Sequence, residues 1–355
     1  MKISKRALMK MDSCYAVNVI RRNDKWLCLA APDDHGAAKA ITMDDNMETC
    51  TSNTTDAEEI IWKEPSGTMA FIPLENAGEF IAIQNFFPTF DSKHTVLVKG
   101  QYINEVGWVI RPFLHVPYIH RVDVLHKDGI NYLIICTLCS GKKSIDDWAN
   151  PGKVLVGILP DDVNEEIELK CILEQQVKNH GYFKLKNEGY VLVASEDGVF
   201  EIKPPASPAG EWKVNRLLQL AAGDIAACDI DRDGFMEYFV ITPFHGANYS
   251  IYKKIENKME LIWQYNTNVK FGHVAWAGKI LGNPAFICGC REAGAALLCV
   301  TYDEKCEDKF KVTYIDGGQG PANICVLNED GKDIVIATNT ISGEVVAYEI
   351  TDDNQ

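Results

Sequence analysis

No run of about 18 apolar residues occurs in this chain of 355 residues, so no membrane-spanning helix is expected. The N-terminal stretch MKISKRALMKMDSCYAV has basic residues with no long apolar run behind them. It does not read as a secretory signal. Helical periodicity is nearly absent, and no phosphate-cradling glycine loop sits in a strand–helix setting. Positive charge is scarce: 35 Lys and Arg stand against 50 Asp and Glu, a net charge of −15. That balance argues against nucleic acid or an anionic membrane as partner. A cytoplasmic location is expected, and oligomeric state is not legible.

Cysteine is not lacking, with 12 residues. Many lie in apolar strand-like runs: Cys136 in YLIICTLC, Cys288 and Cys290 in AFICGC, Cys299 in ALLCV. There cysteine behaves as a small buried hydrophobe. Without an export signal, reduced thiols are expected. Cys136-x-x-Cys139 and Cys288-Gly-Cys290 have no second pair at matching spacing, so structural zinc on thiolates is not expected.

What is abundant is short β-rich runs cut by turns: FIAIQNF, TVLVKG, YVLVAS, EYFVIT, AFICGC, DIVIAT. About 46% of the chain is apolar, enough for a real core. The clearest unit starts at Gly223, GDIAACDIDRDGFMEYFVITPFHGANYSIYKK, and reads strand, Asp/Gly turn, strand, loop, strand. Its turn glycine, Gly234, has counterparts at Gly78, Gly129, Gly189, Gly282 and Gly331, with Lys25 matching without a glycine. The anchors are 53, 51, 60, 45, 48 and 49 residues apart. Repeats of about 50 residues with four strands each predict an all-β fold, a seven-bladed β-propeller. The weak first unit leaves six or eight blades open. The last unit runs out after about three strands, so the segment before Cys14 is expected to close the ring as its fourth. One propeller domain over 1–355 is expected.

Nine positions before the anchors stand Ala16, Met69, His120, His180, Ile225, His273 and Ala322. Three of the eight histidines share this slot. In a propeller the first strand of each blade lines the central channel, so equivalent residues near its start ring one mouth. Three converging imidazoles suit a divalent transition metal and leave positions open for water or substrate. The plainer alternative is three satisfied channel-lining side chains. The fifth unit has Ile225 in the slot but carries His245 after its second strand, on the same face. His245 is read as a fourth ligand or a general base. His115, in RPFLHVPYIHR, is a second candidate base. Arg111, Tyr118, Arg291 and Trp148 are candidate substrate contacts on loops of that face. Asp229-x-Asp231-x-Asp233-Gly234 allows a structural calcium or a tight turn without metal, and it lacks the final glutamate of an EF-hand.

The Asp-rich unit resembles the FG-GAP/VCBS type of propeller repeat. Four segments, FLHVPYIHRV, KNHGYF, PFHGANYSIYKK and FGHVAWAG, resemble the propeller domain of aldos-2-ulose dehydratase and related 1,5-anhydrofructose dehydratases. That resemblance implies a metal-dependent carbon–oxygen lyase that removes water from a keto-sugar, a small carbohydrate substrate, and a divalent ion (Mn, Zn, Mg or Fe). The alternative is a non-catalytic FG-GAP-type propeller that binds a protein or glycan.

Overall fold

A computed structural model describes residues 1–43, 58–185 and 187–352. Seven four-stranded antiparallel sheets form the blades of a β-propeller, with almost no helix. The innermost strands of blades 1 to 7 are Cys14–Arg22, Phe71–Pro73, Ile119–Lys127, Gly181–Leu185, Asp224–Cys228, Val269–Ile280 and Pro321–Glu329. Blade 7 takes its outer strand from Lys2–Lys10, which pairs with Glu344–Thr351 from Lys2↔Thr351 to Lys10↔Glu344. The expected clasp is therefore present, and it leaves no open edge between first and last blade.

The repeat anchors have a common physical cause. Gly78, Gly129, Gly189, Gly234, Gly282 and Gly331 all have positive φ, between 67° and 91°. Each sits in the turn from first to second strand, where a side chain would strain the left-handed backbone. Blade 1 meets the same demand without glycine: Asn23 and Asp24 take φ of 50° and 62°. These are the residue types that tolerate that region best after glycine. The blade 1 turn residue equivalent to the glycines is thus Asp24, one position before the expected anchor Lys25, because Arg22 pairs with Lys25.

The core lies between blades. Seven apolar clusters occupy the seven blade-to-blade interfaces. Phe239, Tyr249 and Phe286 join blades 5 and 6, and Met9, Cys28 and Ile336 join blades 7 and 1. All eleven described cysteines are free thiols, most of them buried in strands. No described helix is long and apolar enough to cross a membrane.

Deletion of residues 1–10 removes one strand of a four-stranded blade and part of the blade 7–blade 1 cluster. The expected result is a melting temperature lower by roughly 10 °C or more and a broadened transition, measured by differential scanning calorimetry. An unchanged melt would show that the clasp contributes little.

Candidate metal centre

The inner strands begin at one face, and those of blades 1, 3, 6 and 7 slip register near it. The ladder slips between Ile119 and Arg121 in blade 3, and between Gly272 and Val274 in blade 6. The extra residue at each slip is His120 and His273. A bulge re-aims one side chain out of the pleat, here toward the axis. Blade 1 slips likewise between Cys14 and Ala16, which makes Tyr15 the bulged residue. Counting nine back from Asp24 also gives Tyr15. The slot in blade 1 is therefore filled by a phenol, and Ala16 is corrected to its neighbour. The signal was legible as Asn-Asp in the RRNDK turn.

His180, His245 and His273 form a cluster whose ligand nitrogens lie within 4.8 Å of one another. His120 stands beside it, 4.5 Å from His180 between ring centroids. The Tyr15 hydroxyl lies 3.5 Å from Nε2 of His120 and 3.4 Å from Nε2 of His273. Two tautomers follow from the backbone. His180 Nδ1–H donates to the Gly223 carbonyl at 3.0 Å, and His273 Nδ1–H donates to the Ala322 carbonyl at 2.6 Å. A carbonyl can only accept, so both Nε2 atoms are left as lone pairs. Nε2 of His180 and of His245 is buried with no hydrogen-bond partner. A buried nitrogen without a partner costs free energy unless something occupies it.

His245 arrives from the loop after the second strand of blade 5. Its ring is stacked between Phe244, 3.8 Å away, and Phe271, 4.0 Å away. His245 and Phe271 both have positive φ, 48° and 58°. Bulky residues rarely adopt that backbone, and such strain persists only where surrounding structure imposes it. Gly246 closes the loop tightly: a Cβ there would sit 2.1 Å from the Thr242 carbonyl oxygen.

Burial sets the protonation of the group. It pushes His120, His180 and His273 well below the usual imidazole range, with neighbouring charges adding to the effect. His245 is pushed down to about 3, first by burial and then by Arg291, Arg121 and Lys178. All four imidazoles are neutral at pH 7, the form that binds metal. A group with an affinity for protons this low is a poor general base at neutral pH. Behind His180 stands Asp224. Burial raises its carboxyl to about 7, against Arg121 at 3.6 Å. Arg121 also donates to the His180 carbonyl at 3.0 Å.

The cluster opens into a cavity of about 530 Å³ that also includes Tyr15, Asp33, Trp148 and Arg291. Trp148 and Arg291 therefore sit where the sequence reading put them. Asp33, Tyr15, Lys178 and the two stacking phenylalanines were not anticipated. Three other expectations are corrected. Arg111 lies on the outer strand of blade 2, opposite Lys99, and lines a separate crevice with Asp161 and Asp162. His115 ends that same outer strand, exposed, and does not line the cavity. Tyr118 is buried at the blade 2–blade 3 junction, where its hydroxyl donates to the Phe90 carbonyl and accepts from the Lys142 amide. All three are close to His120 in sequence, but the propeller carries them outward or into packing.

At the Asp/Gly turn, Lys253 Nζ lies 2.6 Å from Asp231, 2.7 Å from Asp233 and 2.6 Å from Glu237. The ammonium thus supplies positive charge at this turn, where Asp229, Asp231 and Glu237 also bring ligand oxygens within 4.8 Å of one another. Asp229 instead accepts from the backbone N–H groups of Asp233 and Gly234.

The neutral imidazoles make stability depend on pH in a defined direction. An unfolded histidine takes a proton near pH 6.5, whereas these four in the fold do not until far lower. The unfolded chain therefore binds more protons between about pH 6.5 and 3, and stability falls as pH falls through that window. Asp224, raised to about 7, works the other way over the same range. In chelator-treated protein, the stability advantage of wild type over His245→Gln should shrink from pH 7 to pH 4.5, by at most about 1.4 kcal/mol per unit. Urea denaturation at both values measures it. A constant difference would mean that His245 titrates normally.

No protein-family model matches the sequence, and no curated protein matches it. Solved structures do resemble the fold. A Bacteroides fragilis protein described as a candidate 6-phosphogluconolactonase superimposes with a TM-score of 0.56 at 9% identity, covering 96% of each chain. Saccharomyces cerevisiae Sqt1 gives 0.56 at 9% identity over 98% of each chain. A Bacteroides uniformis candidate 6-phosphogluconolactonase gives 0.53 at 10% identity over 96% of each. At such identities the likeness establishes the β-propeller fold.

Proposed function

We propose that this propeller is a metal-dependent carbon–oxygen lyase that carries out β-elimination on a keto-sugar or related carbohydrate. One observation carries the reading: three imidazoles converge beside an open cavity, and backbone carbonyls hold Nδ1–H of His180 and His273 so that both Nε2 atoms are acceptors, that of His180 without a partner and that of His273 facing the Tyr15 hydroxyl. Ligating histidines commonly donate their second N–H to a carbonyl in this way. An all-nitrogen donor set suits Zn or Fe better than Mn, and is poor for Mg, which prefers oxygen. The donors fit a catalytic ion: three come from the protein, leaving coordination positions for substrate.

His180, His245 and His273 would hold the ion, which when bound supplies a Lewis acid for the substrate carbonyl and its developing enolate charge. The remaining steps fall to the chain. In β-elimination the α-C–H and β-C–O bonds break, a C=C bond forms, and water leaves. Asp33 lines the same cavity, and burial raises its carboxyl, with Arg291 opposing. A carboxylate of raised proton affinity takes the α-proton more readily and can return it to the departing hydroxyl. The Tyr15 hydroxyl, between His120 and His273, is placed to hold a substrate oxygen. Trp148 offers a face on which a sugar ring can stack. Asp33 thus takes the role that the sequence reading gave to His245 or His115.

Protein purified without a histidine tag should carry about one transition-metal ion per chain, measured by plasma mass spectrometry. His180→Ala and His273→Ala should lose it. Asp33→Asn should keep the metal and lose at least about 10²-fold in formation of an ultraviolet-absorbing enone. If wild type and both histidine variants hold the same trace of metal, the reading fails, and a non-catalytic binding propeller takes its place.

A further inference from the structure

The cavity above the histidines gathers cations on a strongly negative chain. Three cations are held at it, each over an aromatic face. Arg291 lies 5.3 Å from the Phe271 ring centre, and Lys142 lies 3.4 Å from that of Trp148. Lys178 lies 5.4 Å from both Trp148 and Phe244. Together they continue the column around His245: Arg291 on Phe271, then His245, then Phe244 with Lys178 beyond. Such contacts fix a cation without neutralising it.

The carboxylates around them leave two of the three cations without an ion pair among the described residues. Lys178 is paired with Glu196 at 2.5 Å, but Lys142 spends its ammonium on a neutral acceptor, the Ile145 carbonyl. Arg291 makes no hydrogen bond or ion pair among the described residues, and its contact is the Phe271 ring. Three acids line the cavity: Asp33, Asp34 and Asp146. Asp146 is exposed on the rim, and the Asp34 side chain is 40% exposed, so water screens both. Asp33 is the inner one; no cation among the described residues lies within ion-pair distance of it, and Arg291 acts on it only through the longer-range field that opposes the rise of its carboxyl. An unpaired guanidinium fork beside a cluster of metal-binding imidazoles is a place for a planar or tetrahedral oxyanion. A neutral keto-sugar would leave the fork with no partner.

We propose that the substrate carries an anionic oxygen group, a carboxylate or a phosphate, seated against Arg291 with Lys142 beside it, while its reacting end faces the histidine cluster. This names a substrate class for the reading above and rests on it for the chemistry. The anion subsite itself is tested without turnover. Trp148, with Lys142 on its ring, then forms the wall along which the sugar lies. Overall negative charge repels an acidic sugar at long range, and the unpaired Arg291 and Lys142 offset that repulsion at the mouth.

Isothermal titration calorimetry with D-glucuronate, D-glucose 6-phosphate and D-glucose tests this on the protein as purified. At least one anion should bind saturably and at least tenfold more tightly than glucose, and raised salt should weaken it. The tighter of the two identifies carboxylate or phosphate as the source. Arg291→Gln and, separately, Lys142→Gln should each weaken the anion several-fold and leave glucose and the melting temperature unchanged. Equal binding of glucose and both anions, or no binding of either anion at millimolar concentration, overturns the proposal. Unaltered anion affinity in both variants also overturns it. Metal content measured on the same samples keeps the two readings apart. Anion binding lost in Arg291→Gln with metal retained supports the subsite, whereas wild type without metal that still binds the anion contradicts only the lyase.

Discussion

The site depends on contacts between consecutive blades. His180 projects from blade 4, but the carbonyl that fixes its tautomer, Gly223, belongs to the entry of blade 5. His273 projects from blade 6 and is fixed by Ala322 at the start of blade 7. Each histidine is aimed by its own strand and given its tautomer by the next. Neither lone pair would face the axis if the blades were not packed at the angle that their shared apolar clusters impose. Blade 1 joins the same ring through Tyr15, whose hydroxyl touches histidines of blades 3 and 6 across the channel. Ring closure, secured by Lys2–Lys10, thus bears on the chemistry as well as on stability.

Burial and charge act in the same direction at this mouth. The imidazoles are dry, and cations on aromatic faces stand around them, so protonation is disfavoured twice. A site meant for a proton-accepting histidine would pair the ring with a carboxylate instead. Here Asp224, the acid nearest His180, is itself pushed toward neutrality and is shared with Arg121. The arrangement keeps four imidazoles neutral near one cavity, which is what metal ligation demands.

Much of this was legible in the sequence, and the reasons are physical. The fold was readable because the turn from first to second strand needs positive φ, and glycine meets that need in six of seven blades. The recurring glycines gave the register, and the register gave His120, His180 and His273. Tyr15 was missed because blade 1 meets the same demand with Asn23-Asp24, which shifted the anchor by one. Arg111, His115 and Tyr118 were misplaced because nearness in sequence to His120 says nothing about radial position: the first two are on the outer strand of blade 2, and Tyr118 is packed in the passage from that strand to the inner strand of blade 3. Phe244 and Phe271 could not be read as a sandwich, since they meet only when the blade 5 loop folds over the blade 6 strand. The carboxylate spacing at the Asp/Gly turn was legible, but Lys253, about twenty residues on, returns to the same turn only in the folded blade.

The central claim is that imidazoles of this ring hold a metal. X-ray absorption spectroscopy on untagged protein tests it most directly. The account predicts a first shell of nitrogen and oxygen at about 2.0–2.1 Å for zinc, with outer-shell features of roughly three imidazole rings and no sulfur. A sulfur shell would place the ion on the cysteines, and a shell of oxygens without imidazole features would place it on the surface acids; either result would contradict the account.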